Sequence, residues 1–293
     1  MARNDGYFPP GSLLRHVQQH RAVGQTYGQR ALIIGATHPV PYVGTSSSTN
    51  AKERPFMRLS ATAEAFESVF FGDRTEADKT LAMVHNMHTK VRGTLAQDEG
   101  IHTAGTPYDA FDPELMLWTM GVLADSSRVC FEALVRPLTP SEREELWQDW
   151  IRFGELFGMP RSVAPPTARE FHAWLYGHLD GPAFHVTEEA RVVGRAIAYD
   201  MPVPLGMRAG VSGTNHVVVG LLPQRVREAF GMSWSPVHEA AFRGIAAGVR
   251  ASHKVVPDRL RLGRNTELFR IVSSTERKII AAGGRSMVLP GAA

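Results

Sequence analysis

Apolar residues recur three and four positions apart along most of this chain, and that period predicts helices. From Pro55, a proline suited to a first helical turn, to Phe71, the residues Phe56, Leu59, Ala63, Phe66 and Phe70 are spaced 3, 4, 3 and 4. Arg58 and Thr62, four apart, flank that apolar face. The next stretch, Asp73 to Gly93, carries Ala77, Leu81, Val84 and Val91 on one side. Asp73 or Thr75 can cap its start, Glu76 and Asp78 lie in the first turn, Lys90 and Arg92 in the last, and Gly93 supplies the stop. At about 100° per residue, His88 lies about 25° from the centre of the stripe and His85 about 85° away. His88 is expected to point inward and His85 to sit at the rim.

The rest of the chain continues in helical pieces. Leu13 to Gly28 reads as a helix, and the run ALIIGA at 31–36 is too short to type by periodicity. Pro39 and Pro41 end it and force an extended turn that leaves His38 at an element end. Residues 44–50 form a loop or capping cluster, and 94–106 a second loop in which His102 is exposed. Asp112-Pro113-Glu114 is a cap, a first-turn proline and an acidic first turn opening Leu115 to Val135, apolar on nearly all sides and so the buried central helix. Ser141 and Glu144 form a capping box before a helix ended by Gly158 and Pro160. Ala168 to Leu179 is helical with His172 and His178 at the surface, as are Glu188 to Ala198 and Gln224 to Phe230. Met201 to Asn215 reads as a Pro/Gly-rich excursion, Pro236 to Ala251 as the last long helix, and the tail from Ser252 as partly disordered. The sum is an all-α protein of roughly eight or more helices with no composition break that divides it.

Composition narrows the class. In 293 residues, 43% are hydrophobic and 21% charged, as in an ordinary globular protein with a sizeable core. The net charge is only +3, with 32 basic and 29 acidic residues interspersed, so nucleic acid is not an expected partner. The single cysteine, Cys130, rules out an intramolecular disulfide and a cysteine-based zinc or iron–sulfur site, which fits a cytoplasmic setting. No signal-peptide core and no run of ~18 apolar residues is present, so secretion and an integral membrane segment are not expected.

The familiar chemical signatures are absent: no G-x-G-x-x-G after a strand, no Walker loop and no H-E-x-x-H. His85-x-x-His88 could clamp a metal, but no E-x-x-H helices accompany it. Gly210-Val211-Ser212-Gly213 is not a nucleophile elbow, because Thr214 stands where glycine is required. An inward imidazole such as His88 is either bonded to a core partner or a ligand to a metal or haem iron, and the helix alone does not choose between them.

The order of the pieces carries more than any one of them: an apolar run followed by His38-Pro39, then Arg58-x-x-x-Thr62, Phe71-Gly72-Asp73, His88-x-x-Val91-x-Gly93, Tyr108-x-Ala110-x-Asp112-Pro113 and Trp118. Together, over about residues 30–235, they resemble the rubber-oxygenase (latex-clearing protein) superfamily, which includes the endoplasmic-reticulum-bound oxygenase of mycophenolic acid biosynthesis. The resemblance implies a globin-like helical core binding one haem b, with His88 at the position of the proximal iron ligand. Arg58 and Thr62 match the distal arginine and threonine, to stabilise dioxygen or a propionate. His85, His38, Arg92 and Trp118 are candidate further contacts to the cofactor, with Phe66, Phe70 and Leu115 completing an apolar pocket. The chain departs from the pattern in three places: His85 replaces a typical arginine, Ala61 replaces a lysine, and no glutamate lies near Tyr42. The domain reading is an N-terminal arm and helix at 1–29, the haem domain at 30–235, and a C-terminal helix and tail at 236–293 packed on the same domain. The function implied is a haem-dependent oxygenase taking dioxygen and an apolar, isoprenoid or lipid-like substrate. A haem sensor or carrier, and a helical protein whose His88 is only a core residue, are the alternatives; a homo-oligomer stays open.

Overall fold

Two helices packed antiparallel organise the molecule, and a buried charge fixes their register. The computed structural model describes residues 5–46 and 54–287. Within them α1 (Leu13–Gln18), α2 (Arg21–Gly35) and α3 (Pro39–Ser46) are followed by α4 (Pro55–Phe71) and α5 (Arg74–His88). A small antiparallel hairpin, β1 (Arg92–Thr94) and β2 (Pro107–Asp109), leads into α6 (Pro113–Leu134), α7 (Pro140–Leu156), α8 (Ala168–Asp180) and α9 (Glu188–Tyr199). Then come α10 (Arg208–Gly220), α11 (Gln224–Ala229), α12 (Pro236–Ser252), α13 (Asp258–Arg261) and α14 (Thr266–Ala281). The all-α reading holds, with the hairpin the only sheet among the described residues.

Arg30 on α2 and Asp125 on α6 meet at 2.8 Å with their side chains 1% and 2% exposed. Arg30 also donates to the Leu221 carbonyl at 2.9 Å and the Ser126 hydroxyl at 2.9 Å, while Arg128 donates to the other Asp125 oxygen at 2.7 Å. Burial alone would raise the Asp125 pKa, but the two guanidiniums outweigh it and hold the carboxyl below its ordinary range. Further along the same helix pair, the Trp118 indole donates to the Gly35 carbonyl at 3.1 Å. Around this pair the core gathers Phe8, Ile33, Ile34, Phe70, Phe131, Trp147 and Trp150.

The helix starts follow local chemistry. Asp73 accepts from the Glu76 amide and Asp112 from those of Glu114 and Leu115. Thr139 with Glu142, not Ser141 with Glu144, forms the capping box of α7, because Pro140 takes the first helical position. Glu144 instead accepts from the Ala168 amide at 2.8 Å, at the start of α8. After α7 the chain turns at Gly158, whose φ of 101° is the left-handed conformation that favours glycine.

Several boundaries differ from the sequence reading. Leu13 to Gly28 is not one helix: the chain breaks between Gln18 and Arg21, and the run at 31–36 completes α2. Pro39 and Pro41 begin a helix, since neither lacks an N–H that the first turn needs; the Tyr42 amide reaches the His38 carbonyl at 3.4 Å. Residues 47–50 of the predicted loop at 44–50 lie outside the described residues, whereas 44–46 are helical. The Asp73 helix ends at His88, so Lys90 and Arg92 are not in its last turn. Gly93 pairs with Tyr108 in the hairpin, where a Cβ would come within 2.5 Å of the tyrosine oxygen, so close approach and not a helix stop accounts for the glycine. Residues 208–215 of the Pro/Gly-rich stretch are helical, and the tail from Ser252 folds into α13 and α14, with residues 288–293 outside the described part.

The α14 helix is bound to α4 by reciprocal capping. Fully buried Glu276 accepts from the Phe56 and Met57 amides at the start of α4, at 3.3 and 2.5 Å, where Arg54 supplies no side-chain cap. Glu67, late in α4, accepts from the Asn265 amide at 2.5 Å and the Thr266 hydroxyl at 3.1 Å at the start of α14. Each carboxylate answers the orphan donors of the partner helix.

Removing Asp125 strands a buried guanidinium. Asp125→Ala is expected to lower the free energy of unfolding by about 3–5 kcal/mol in urea titration; an unchanged midpoint would show that the ion pair does not hold α2 on α6. The contribution of Asp125 is complete above the ordinary carboxylate pKa and is lost only as pH falls through its depressed folded value.

Candidate functional site

The short helix α3 has aromatic and histidine side chains gathered at its N-terminal end and the Arg58 guanidinium bonded at its C-terminal end. At its N-terminal end the His38 ring stacks on His102 with centroids 5.1 Å apart and lies 5.6 Å from Trp118. Trp174 on α8 sits 6.2 Å from Trp118. His178 lies 4.7 Å from the Trp174 ring and 5.9 Å from Trp118, its Nδ1 bonded to the Trp174 carbonyl at 2.9 Å. His102 is carried by the hairpin loop. That loop is tied down by the Glu99–His185 pair at 2.9 Å, and His185 in turn donates its amide to the Thr37 carbonyl at 2.8 Å.

At the C-terminal end of α3, the Thr45 carbonyl accepts from the Arg58 guanidinium at 2.6 Å. His88, the last residue of α5, is half-buried against Phe111, with ring centroids 5.9 Å apart; His85 is exposed and 4.9 Å from the same ring. Tyr108 from β2 packs on Gly44 between the two ends. Eight residues of helix separate the ends by about 12 Å.

Burial governs the ionisation of these groups. Desolvation, with repulsion from His102 and His178, lowers His38 to about 4. Desolvation, then His85 and Arg58, lowers His88; desolvation and His185 lower His102. All three imidazoles are therefore neutral near pH 7 and have a lone pair to offer. The His88 Nδ1, His38 Nδ1 and His102 Nε2 are buried with no hydrogen-bond partner. Native structures rarely leave such atoms unsatisfied, because each costs about 1–3 kcal/mol. Burial likewise lowers the Arg58 pKa. Among the described residues no group of three or more His, Cys, Asp or Glu side chains is arranged to hold a metal ion.

The inward expectation for His88 agrees with its half-buried ring, and the rim expectation for His85 with its exposure. Arg58 is near enough to His88 for its charge to be felt there, whereas Thr62, one turn on, is exposed. Arg92 is exposed and donates to the Thr89 carbonyl at 2.8 Å. His38 and Trp118 stand at the other end of α3. Sequence reasoning set His102 and His178 at the surface, yet both are half-buried beside His38 and Trp118. Their positions depend on a hairpin and a helix contact that no local pattern announces. No glutamate lies near Tyr42 in sequence, but Glu189 of α9 accepts from the Tyr42 hydroxyl at 3.5 Å in space. That carboxylate adds to burial in raising the tyrosine's pKa.

The model of the family described as ER-bound oxygenase mpaB/B'/Rubber oxygenase, catalytic domain, matches residues 14–251. Two mycobacterial proteins, the uncharacterized Mb2261 of Mycobacterium bovis and the uncharacterized Rv2237 of Mycobacterium tuberculosis, are each 26% identical over 214 residues, covering 72% of this chain and 80% of theirs. No solved structure matches the chain significantly.

The ionisation of His38 has a measurable sign. Between its ordinary pKa and about 4, the unfolded chain binds a proton that folded His38 refuses, so stability falls as pH drops through that window. Thermal unfolding from pH 7 to pH 4 is expected to show a shallower decline in His38→Gln than in the parent; parallel curves would place the acid sensitivity elsewhere.

Proposed function

The chain belongs to the mpaB/rubber oxygenase catalytic-domain family, and from that premise we propose that it is a haem-b-dependent oxygenase. It acts with dioxygen on an apolar substrate of isoprenoid or lipid-like character. The observation that carries the haem reading is the His88 Nδ1, a buried nitrogen without a partner on a neutral imidazole. A neutral imidazole nitrogen of that kind would serve to hold a haem iron. Bound haem supplies the activation of dioxygen.

The protein's own residues then have distinct tasks. His88 holds the iron, and Phe111 against its ring limits rotation. Arg58, anchored through Thr45 and close enough to His88 for its charge to lower that ring's pKa, presents a positive charge suited to a propionate or to bound oxygen. Thr62, His85 and Arg92 offer polar groups at the exposed rim, and His38 with Trp118 borders the far end of α3. Half-buried Glu189 beside Tyr42 is the candidate for moving a proton in place of the acidic residue that the sequence lacks at that point. Trp118, with Trp174 and His178 around His38, is the aromatic surface in this region that suits an apolar substrate, while Phe66 and Phe70 pack into the core on Phe153. When both oxygen atoms enter the substrate, its own electrons suffice and no outside reductant is needed.

A non-catalytic haem carrier is the second reading, favoured by Ala61 at the position where the family resemblance calls for lysine. Oxygen consumption separates the two. Haem-reconstituted protein supplied with a polyprenol or an unsaturated lipid is expected to consume oxygen and to place labelled dioxygen in the product. Arg58→Ala is expected to keep its haem and lose about a hundredfold to a thousandfold in rate. Haem bound at full occupancy with no uptake on either substrate class would leave the carrier.

A further inference from the structure

A second group of histidines, with no part in the site above, lies where the end of α1 meets the link between α12 and α14. His20 is almost fully buried, and its ring is boxed by three others: His16 at 5.4 Å, Phe131 at 5.3 Å and His253, stacked nearly parallel, at 5.3 Å. His20 and Leu262 pair as an isolated β-bridge, and the Gly263 amide donates to the Gln19 carbonyl at 2.8 Å, which brings the neighbouring Arg261 to the same corner. Two buried nitrogens there have no partner, the Nδ1 of His20 and the Nε of Arg261.

The other charged groups facing the corner are already engaged. Arg136 pairs with Glu142 at 2.7 Å, and the Arg261 Nη2 with Asp258 at 2.5 Å. Arg21 donates to the Leu262 and Arg264 carbonyls, and Arg250 to those of Glu132 and Ala133. The His16 Nδ1 meets the Gln19 amide. Arg21 and Arg250 meet only carbonyl oxygens there, and their charges are the surplus. Burial first, then His16, His253, Arg261 and Arg136, hold His20 at about 3; burial and Arg261 also lower His253. Arginines beside the three imidazoles oppose a metal cation and favour an anion. The Arg261 Nε–H is an unused donor, and the His20 Nδ1 becomes one when the ring carries its proton there, so one oxyanion accepts from both.

We propose that His20 and Arg261, flanked by His16 and His253, form a binding site for a small phosphate-class oxyanion, free or carried as a phosphate monoester. The anion supplies the missing acceptors and takes up a proton on the histidines as it binds. It also ties the segment that leads into α14, and through Glu276 to α4, onto the body of the protein.

Thermal unfolding of the full chain, titrated with sodium phosphate against sodium chloride at equal ionic strength, tests this. Phosphate is expected to raise the midpoint saturably at pH 6 and less at pH 8, and Arg261→Gln to weaken the apparent affinity at least about tenfold. Glycerol phosphate in a parallel arm separates the ester from the free ion, since the site takes whichever stabilises at lower concentration. Equal effects of chloride, or an Arg261→Gln response as strong as that of the parent, would overturn the proposal. If that variant does not fold, His253→Gln, on a half-buried ring, should lose the pH dependence of the phosphate response; an unchanged pH profile would overturn it equally.

Discussion

Arg30 takes a charge into the centre of the molecule, and what it finds there determines where the site lies. Its guanidinium reaches Asp125, Ser126 and the Leu221 carbonyl, so α2, α6 and the end of α10 are tied at one point. A buried pair of this kind adds little net stability over a well-packed apolar one, but it is intolerant of slippage, because any shift leaves a charge unpaired. The register it imposes sets Gly35 opposite Trp118. From Gly35 the chain has only Ala36 and Thr37 before His38, so the aromatic corner at the start of α3 follows from a contact in the middle of the core.

A second constraint governs the other end of α3. Arg58 stands in the first turn of α4, a turn with no cap from its own neighbour Arg54. Glu276 provides it from α14, and Glu67 returns the same service. The helix that presents Arg58 is therefore held by a segment beyond residue 251, where the family match stops. The part common to the family and the part outside it are thus mechanically joined.

How much of this was legible beforehand depends on the range of the interactions. Helix α4 was readable to the residue because proline, spacing and the glycine after Phe71 are all local. The central position of α6 was readable from its apolar residues on every side. The inward turn of His88 followed from periodicity, although the helix proved to end on that residue and not four later. Glu189 beside Tyr42, His102 against His38 and the cap from Glu276 were not readable, since each joins residues separated by 64 to 220 positions. The two prolines after His38 misled because the same ring that breaks a helix interior is at home in a first turn.

The proposed function assigns haem ligation to His88, with His38 in a separate cluster beside Trp118. An absorption spectrum of haem-reconstituted protein beside His88→Ala and His38→Ala, with iron quantified in each, addresses it directly. The account predicts a Soret band in the parent and in His38→Ala that is lost, together with the iron, in His88→Ala. A band that survives in His88→Ala, or that disappears with His38 instead, would contradict it.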